Sequence, residues 1–220
     1  MTVPLVLLHP LGVDHRFWDP VRPFLEPDLI TPDLSGATVE EMAEALALTE
    51  PVDLAGVSLG GLVAQVLAAR RPDLVRKLVL VDTVPVYPEG MRDMWRQRAS
   101  LVRREGLPPI LAPTEKLWFT EAAPPEAVSR VRALLLSGDA ERYAQTCEAL
   151  AAADTTTLVP SIKAPTLVAC GKYDAPPFRE AVDWFAATLP DATVTWLPGG
   201  HGTAYENPHA FADAVAGFLG

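Results

Sequence analysis

The six residues Gly56-Val57-Ser58-Leu59-Gly60-Gly61 contain the pattern Gly-x-Ser-x-Gly. Residues 51–55 before it form a short apolar run that predicts a strand, and residues 62–70 after it have helical spacing. A strand that turns sharply into a helix can present a serine at the top of the turn, where the helix N-terminus favours negative charge. The bracketing glycines remove side chains that would crowd this turn. The alternative is a glycine-rich turn in which the serine is an ordinary N-cap.

The composition limits the classes of protein to consider. A chain of 220 residues suits one α/β domain with an inserted subdomain. The net charge of −10 argues against nucleic acid or an anionic membrane as a partner. The two cysteines, Cys147 and Cys170, lie far apart and do not suggest a disulfide framework. The apolar start reads as a strand without a basic leader, so we expect a cytoplasmic protein.

Short aliphatic runs alternate with helical patterns along the chain. Most of these runs are continuously apolar, which is typical of parallel strands covered on both faces. They lie at residues 4–8, 29–32, 52–55, 77–81, 166–169 and 193–197. Thr38 and Glu41 predict a capping box at the start of a helix that runs through Leu48. Asn207 and Pro208 predict the N-cap and the first turn of a last helix that runs through Phe218.

The alternation stops between residues 84 and 160, where only helical patterns occur. We predict helices near residues 89–105, 108–117, 124–137 and 139–153. An all-helical insertion between two strands is typical of a lid, so we predict a core of residues 1–83 and 161–220 and a helical cap of residues 84–160. This segment carries nine of the 18 Lys and Arg residues, namely Arg92, Arg96, Arg98, Arg103, Arg104, Lys116, Arg130, Arg132 and Arg142. Either they form a solvated surface, or one or two of them face a pocket and bind an anionic group.

A serine hydroxyl becomes an effective nucleophile only with a base beside it and a third group that orients the base. His201 is the favoured base, because it lies in a glycine-bracketed loop directly after a strand. Asp174 is the favoured acid, since it follows the strand at 166–169. Asp82, at the end of the strand at 77–81, is the rival acid. All of these positions are predicted at the carboxyl edge of the sheet, where Ser58 also lies.

The tetrahedral intermediate of acyl transfer needs N–H donors for its oxyanion. The backbone N–H of Leu59, directly after the serine, is one candidate. Leu11, in the loop after the first strand, is the other, because the preceding Pro10 has no N–H. We expect His9 to order this loop through hydrogen bonds. We expect no metal and no cofactor, since a serine, a histidine and an aspartate suffice for this chemistry.

These motifs together resemble the α/β-hydrolase superfamily over essentially the whole chain, in the order Ser58, Asp174, His201. Within it, the chain looks most like the 3-oxoadipate enol-lactonases. The narrower resemblance rests on His9-Pro10-Leu11-Gly12-Val13-Asp14, Phe17-Trp18, Leu117-Trp118-Phe119-Thr120, Leu134-Leu135, Tyr143-Ala144-Gln145-Thr146-Cys147 and Lys163-Ala164-Pro165-Thr166-Leu167-Val168. It implies an α/β-hydrolase fold and hydrolysis of a small lactone that bears a carboxylate.

Three departures from the superfamily pattern stand out. The strand before the oxyanion loop begins near residue 3, so we expect a mostly parallel sheet of about six strands that lacks the N-terminal β-hairpin. Relatives have Arg-Gly-His-Gly where this chain has Asp33-Leu34-Ser35-Gly36. The region after the histidine, from Gly202 to Pro208, also differs from the usual text. These changes affect the expected pocket more than the three catalytic candidates.

The sequence therefore predicts a serine hydrolase that cleaves a small lactone or ester through an acyl-enzyme. Trp18, Trp95, Trp118 and Phe119 are candidate substrate-binding residues, with packing of the cap on the core as the alternative. Two other readings stay open. One is different cofactor-free chemistry at the same site, such as a C–C bond hydrolase, perhydrolase or lyase. The other is a non-catalytic ligand-binding homologue. We expect a small-molecule substrate, with an anionic one left open, and either a monomer or a homodimer.

Overall fold

The computed structural model describes residues 3–25 and 28–220, and a single parallel sheet organises them. Its strands are β1 (Leu5–Leu8), β2 (Leu29–Ile30), β3 (Val52–Val57), β4 (Val75–Val81), β5 (Thr166–Gly171) and β6 (Ala192–Leu197). They lie in the order β2-β1-β3-β4-β5-β6, and every neighbouring pair is parallel. The predicted six-stranded α/β architecture is confirmed. Met1 and Thr2, part of the apolar start, lie outside the described residues.

Helices connect the strands and also form a long insertion. They are α1 (Val39–Ala45), α2 (Leu59–Arg70), α3 (Glu89–Glu105), α4 (Leu111–Trp118), α5 (Pro125–Ser137), α6 (Ala140–Ala152), α7 (Pro176–Thr188), α8 (Thr203–Glu206) and α9 (Pro208–Leu219). Helices α3 to α6 occur between β4 and β5, where the sequence shows only helical patterns. Within the described residues, no helix combines the length and apolar character needed to cross a membrane.

The core of the molecule surrounds the central strands. Every residue of β1, β3 and β5 is buried, as expected for strands covered on both faces. β3 also buries Asp53, whose carboxylate forms an ion pair with Arg76. The edge strand β6 differs, because Val194 and Trp196 are exposed. The strands that lead to Ser58 and Asp174, β3 and β5, are therefore fully buried.

The two predicted helix starts behave differently. Thr38 Oγ1 accepts a hydrogen bond from Glu41 N–H at 3.1 Å, and Glu41 Oε2 accepts one from Ala37 N–H at 2.7 Å. This reciprocal pair matches the predicted capping box, although α1 ends at Ala45 rather than Leu48. Asn207 is the N-cap residue of α9 as predicted, but its side chain makes no capping hydrogen bond. Its side-chain amide instead donates to Pro198 O at 3.0 Å.

The two ends of the helical insertion meet at its base. Val86 and Asp154 form an antiparallel bridge there. Thr155 donates from its backbone N–H and its hydroxyl to Pro85 O, both at 2.9 Å. The same hydroxyl lies 2.6 Å from Gln65 Oε1, and Gln65 Nε2 donates to Val84 O. Because Gln65 belongs to α2, these bonds fix the base of the insertion to the helix that begins at the serine.

Candidate active site

The turn between β3 and α2 holds Ser58 in a strained backbone conformation. Its φ is +54°, a left-handed value that few residues other than glycine adopt. A Cβ on Gly56 would lie 2.2 Å from Gly60 O, and one on Gly60 would lie 2.1 Å from Leu8 O. Both glycines are therefore required for α2 to start this close to the sheet. Thr83 Oγ1 donates to Ser58 O at 2.8 Å and braces the turn from the next strand.

Ser58, His201 and Asp174 come together although up to 143 positions separate them in sequence. His201 Nε2 lies 2.9 Å from Ser58 Oγ, and His201 Nδ1 lies 2.8 Å from Asp174 Oδ2. An ionised carboxylate only accepts hydrogen bonds, so the ring proton is assigned to Nδ1 and Nε2 is free to accept from the serine hydroxyl. This is the geometry that a general base needs.

The three side chains are buried among aromatic rings. Ser58, Asp174 and His201 are each at most 5% exposed. The Phe178 ring lies 4.2 Å from the imidazole of His201, measured between centroids. Trp118 lies on another side of the imidazole at 6.5 Å. Water is thus largely excluded, which strengthens the hydrogen bonds between the three groups.

Asp82, the rival acid, does not bond to the histidine. It follows β4 with a φ of +48°, and its Oδ1 accepts from Gly171 N–H at 2.7 Å. Asp174 instead occupies the position beside His201, and its Oδ1 accepts from Ala175 N–H at 2.6 Å. The structure therefore favours Asp174 as the group that orients the imidazole and places Asp82 directly behind it.

Three consecutive N–H groups fix the His201 loop, and two of them bind the helical insertion. Gly200 N–H donates to Glu206 Oε2 at 3.0 Å, while His201 N–H and Gly202 N–H donate to the carbonyls of Leu117 and Trp118 at 3.2 and 2.9 Å. These carbonyls belong to the last residues of α4. The position of the imidazole is therefore set directly by the insertion.

Glu206 links the two sides of this contact. It is 6% exposed, and its carboxylate accepts from the hydroxyl and the N–H of Thr120, which follows α4, as well as from Gly200. Sequence reasoning noted Glu206 only as part of an altered motif. The signal available in the sequence was a glutamate that follows a glycine-rich loop. The Thr120 groups that bind its carboxylate, however, come from a distant segment of the chain.

The loop after β1 is ordered by His9, as expected. Its Nδ1 lies 2.9 Å from Pro10 O, and its Nε2 accepts from Leu34 N–H at 3.0 Å. Burial lowers the pKa of His9, so the imidazole stays neutral and can act as donor on one side and acceptor on the other. Leu8 pairs with Gly56 across the sheet, so the loop that carries Leu11 emerges beside the turn that carries Leu59.

A cavity of about 240 Å³ opens next to these two loops. His9, Gly12 and Leu59 line its inner side, and Tyr143 of α6 covers it. The complete lining is His9, Gly12, Val13, Asp14, Asp33, Leu34, Met42, Leu59, Leu107, Leu134, Ser137, Gly138, Asp139, Arg142, Tyr143 and Thr146. Residues from the helical insertion thus form a large part of the wall. Among them only Arg142 was a candidate from the sequence, as one of the nine insertion cations of which one or two could face a pocket.

Arg142 is the insertion arginine that lines this cavity. Its guanidinium donates to Leu34 O, and no carboxylate within the described residues forms an ion pair with it. Other insertion arginines are engaged on the surface, such as Arg103 with Glu141 and Glu148. The lining also contains Asp14, Asp33 and Asp139. Arg142 therefore adds one positive charge to a wall that otherwise carries negative ones.

The four predicted substrate-binding aromatic residues do not belong to this lining. Trp18 is fully buried and packs on the rings of Phe17 and Phe211, at 4.9 and 5.7 Å. Trp95 packs on Tyr87 at 5.7 Å. Trp118 lies near His201, and Phe119 is partly buried beside the core. The ring contacts of Trp18 thus lie within the core, and that of Trp95 lies within the insertion.

Two clusters of potential metal ligands occur among the described residues, and each is engaged in other contacts. Asp14 in the exposed cluster with His15 and Asp33 is held by the guanidinium of Arg16. The second cluster is Asp82, Cys170 and Asp174. Burial raises the pKa of the Cys170 thiol, which keeps it protonated and unsuited to binding a metal.

A parallel sheet with a strained serine between strand and helix, and a histidine and an aspartate at the same edge, defines the α/β-hydrolase class. The chain belongs to the alpha/beta hydrolase family, whose sequence model matches residues 5–214.

Relatives with a known activity narrow the comparison. The chain is 34% identical to a 3-oxoadipate enol-lactonase of Acinetobacter baylyi over 165 residues, which cover 73% of this chain and 60% of that enzyme. It is 30% identical to a pimeloyl-[acyl-carrier protein] methyl ester esterase of Aromatoleum aromaticum, with 86% and 87% coverage.

Solved structures that superpose well on this chain include an esterase and an enol-lactonase. A thermophilic esterase from Thermogutta terrifontis superposes with a TM-score of 0.91 at 29% identity and covers 100% of this chain and 90% of its own. An enol-lactonase from Burkholderia xenovorans gives 0.87 at 27%, covering 100% and 92%. Both sets of relatives support hydrolysis of esters or lactones in general.

Proposed function

We propose that this protein is a serine hydrolase that cleaves a small lactone or carboxylic ester through an acyl-enzyme on Ser58. The observation that carries the proposal is the continuous chain of contacts from Ser58 Oγ to His201 Nε2 and from His201 Nδ1 to Asp174 Oδ2, at 2.9 and 2.8 Å. A structural serine would not need a strained backbone, an imidazole within hydrogen-bond reach and a buried acid aligned behind it.

In the first half of the reaction, Ser58 Oγ attacks the carbonyl carbon while His201 Nε2 takes the hydroxyl proton. Asp174 stabilises the imidazolium that forms. The backbone N–H groups of Leu11 and Leu59 are the proposed donors to the oxyanion. Collapse of the tetrahedral intermediate breaks the bond to the leaving oxygen, which receives the proton from His201. With a lactone, this oxygen remains attached to the acyl group.

In the second half, His201 takes a proton from a water molecule, and the resulting nucleophile attacks the acyl carbonyl. When this second intermediate collapses, Ser58 Oγ leaves and regains its proton from His201. The carboxylic acid product is released and the enzyme returns to its starting state. The chain supplies every proton acceptor and donor that these steps need, so no cofactor is part of the proposal.

The cavity beside the two loops is the proposed substrate site and favours a small substrate; its lining reaches the proposed oxyanion donor Leu59 but does not include Ser58, Asp174 or His201. Its volume of about 240 Å³ is below the range typical of pockets for drug-sized ligands. The resemblance to enol-lactonases makes 3-oxoadipate enol-lactone the first candidate, and Arg142 is the cation available for its carboxylate. The guanidinium of Arg16 pairs with Asp14, which reduces the repulsion of an anion by that carboxylate. The two buried free thiols suit a reducing compartment such as the cytoplasm.

The test compares two substrates and two proteins. Hydrolysis of 3-oxoadipate enol-lactone and of a neutral p-nitrophenyl ester is measured with the wild-type enzyme and with Ser58→Ala. We expect serine-dependent turnover of both, with the lactone faster. Turnover of the ester alone would leave a small-molecule serine hydrolase and discard the lactone. Unchanged turnover in Ser58→Ala would overturn the proposal for both substrates.

A further inference from the structure

Asp82 is a buried acid next to the proposed catalytic groups, and the steps above do not use it. It is 1% exposed and follows β4 directly. Its Oδ1 accepts a hydrogen bond from Gly171 N–H, but its Oδ2 is buried without a partner among the described residues. An ionised oxygen in such a place would carry charge with neither water nor a donor to stabilise it.

The neighbours of this carboxyl group make a second negative charge still less favourable. Three atoms lie within 4.8 Å of one another: a carboxylate oxygen of Asp82, a carboxylate oxygen of Asp174 and the sulfur of Cys170. Three other titratable groups are nearby. His201 lies on the far side of Asp174, the phenol of Tyr87 has the Asp174 charge in its environment, and the charge of Arg179 acts on Cys170. Among the described residues, no Lys or Arg pairs with either carboxyl group. Two carboxylates this close in a buried site do not both ionise.

The hydrogen bonds decide which of the two acids carries the proton. The Asp174 carboxylate accepts from His201 Nδ1–H at 2.8 Å and from Ala175 N–H at 2.6 Å. Asp82 accepts from one backbone N–H, that of Gly171, and the weakly donating Cys170 thiol lies beside both acids. Negative charge is better stabilised where more donors point at it, so it stays on Asp174. In agreement, burial and then the Asp174 charge hold the pKa of Asp82 well above its usual range.

We propose that Asp82 is protonated at neutral pH and donates its O–H to the carboxylate of Asp174, acting as a positioning residue behind the catalytic groups. This bond gives the otherwise unpaired Oδ2 a partner. It also limits the charge behind His201 to one. A second charge would hold the imidazolium proton more tightly and so oppose its transfer to the leaving oxygen, a consequence that rests on the proposed function.

The first test is spectroscopic and needs no substrate. Asp82→Asn keeps the shape and an N–H donor, and asparagine tolerates a φ of +48°. The infrared difference spectrum of wild type minus Asp82→Asn at pH 7 should show the carbonyl stretch of a protonated carboxylic acid. Asp53→Asn is the matched control, because Asp53 is equally buried but paired with Arg76 and should show no such band. A missing band, or one retained in Asp82→Asn, would overturn the proposal.

The second test is the pH profile of kcat/KM. If Asp82 is already neutral, Asp82→Asn should leave the acid limb within about 0.3 pH unit of wild type. If Asp82 were ionised, the variant would remove a charge close to His201, and the limb would move to lower pH by about one unit or more. That shift would overturn the proposal. Loss of the serine dependence would end the proposed function but leave the infrared result unaffected, so the two failures are distinguishable.

Discussion

Replacing Glu206 with alanine should release the His201 loop from the helical insertion. The carboxylate accepts from Gly200 N–H at 3.0 Å and from both the N–H and the hydroxyl of Thr120. Removing it leaves three donors without an acceptor, one of them in the residue directly before His201. The contacts of His201 N–H and Gly202 N–H with the end of α4 remain, so we expect a displaced loop in a folded protein.

The size of the effect follows from these three bonds. A buried donor that loses its acceptor costs about 1–3 kcal/mol, and hydrogen bonds to a charged group lie at the upper end of the usual range. Thr120 is only partly buried, so water can replace some of what is lost. We therefore expect Glu206→Ala to lower the free energy of unfolding by about 3 kcal/mol and Glu206→Gln, which keeps one acceptor, by about 1 kcal/mol. Displacement of the imidazole should lower kcat/KM at least about tenfold in Glu206→Ala.

The assay combines urea unfolding with steady-state kinetics on the ester. Glu180→Ala is the matched control, since Glu180 is an exposed glutamate on α7 and should change neither quantity. Circular dichroism verifies that each variant is folded at the assay temperature. If Glu206→Ala matched wild type in both stability and kcat/KM, the insertion would not be holding the His201 loop and this reasoning would be refuted.

Three further predictions concern other parts of the site. Gly60→Ala should prevent α2 from packing on the sheet, because the added Cβ would lie 2.1 Å from Leu8 O. Soluble yield and Tm should therefore fall sharply. The control Gly90→Ala should change neither quantity, because Gly90 has open space around it. Burial lowers the pKa of His9 from 6.5, so below that pH the unfolded chain binds a proton that the folded chain does not, and the free energy of unfolding falls as the pH drops. The variant His9→Gln should flatten this dependence in urea titrations between pH 7 and 5. An unchanged slope would contradict the prediction. Arg142→Gln should raise KM for a carboxylate-bearing lactone about tenfold and leave the neutral ester unchanged; equal effects on both substrates would mean that Arg142 does not bind the carboxylate.

Much of the fold could be predicted from the sequence, because the patterns that indicate strands and helix starts are local. Continuously apolar runs predicted six strands, and the structure contains six parallel strands in those positions. The strands β3 and β5 extend two residues further than predicted, since Gly56 and Gly171 read as turn residues in sequence. The start of α1 was predicted from Thr38 and Glu41, because a capping box lies within four residues. Asn207 was likewise predicted as the N-cap of α9, but the partner of its side chain, Pro198 O, lies outside the helix and could not be foreseen.

Some parts of the candidate site could also be predicted from the sequence, and others could not. Ser58, Asp174 and His201 were predictable as neighbours, because the carboxyl ends of parallel strands meet at one edge of the sheet. The cavity wall was not predictable, since α6 turns Tyr143 and Arg142 toward the oxyanion loop by tertiary packing. Large aromatic residues were favoured as pocket walls for their size, yet Trp18 has ring partners inside the core. The position of Asp82 behind Asp174 likewise depends on the alignment of β4 with β5.

The proposed mechanism requires a covalent acyl intermediate on Ser58, which intact-mass spectrometry can detect. The wild-type enzyme and Ser58→Ala are each mixed with an ester of a slowly hydrolysed acyl group, quenched in acid and weighed, and the modified peptide is then sequenced. We predict one added acyl group on Ser58 in the wild type and none in Ser58→Ala. An acyl group on another residue, or turnover with no acyl-enzyme and undiminished activity in Ser58→Ala, would contradict the account.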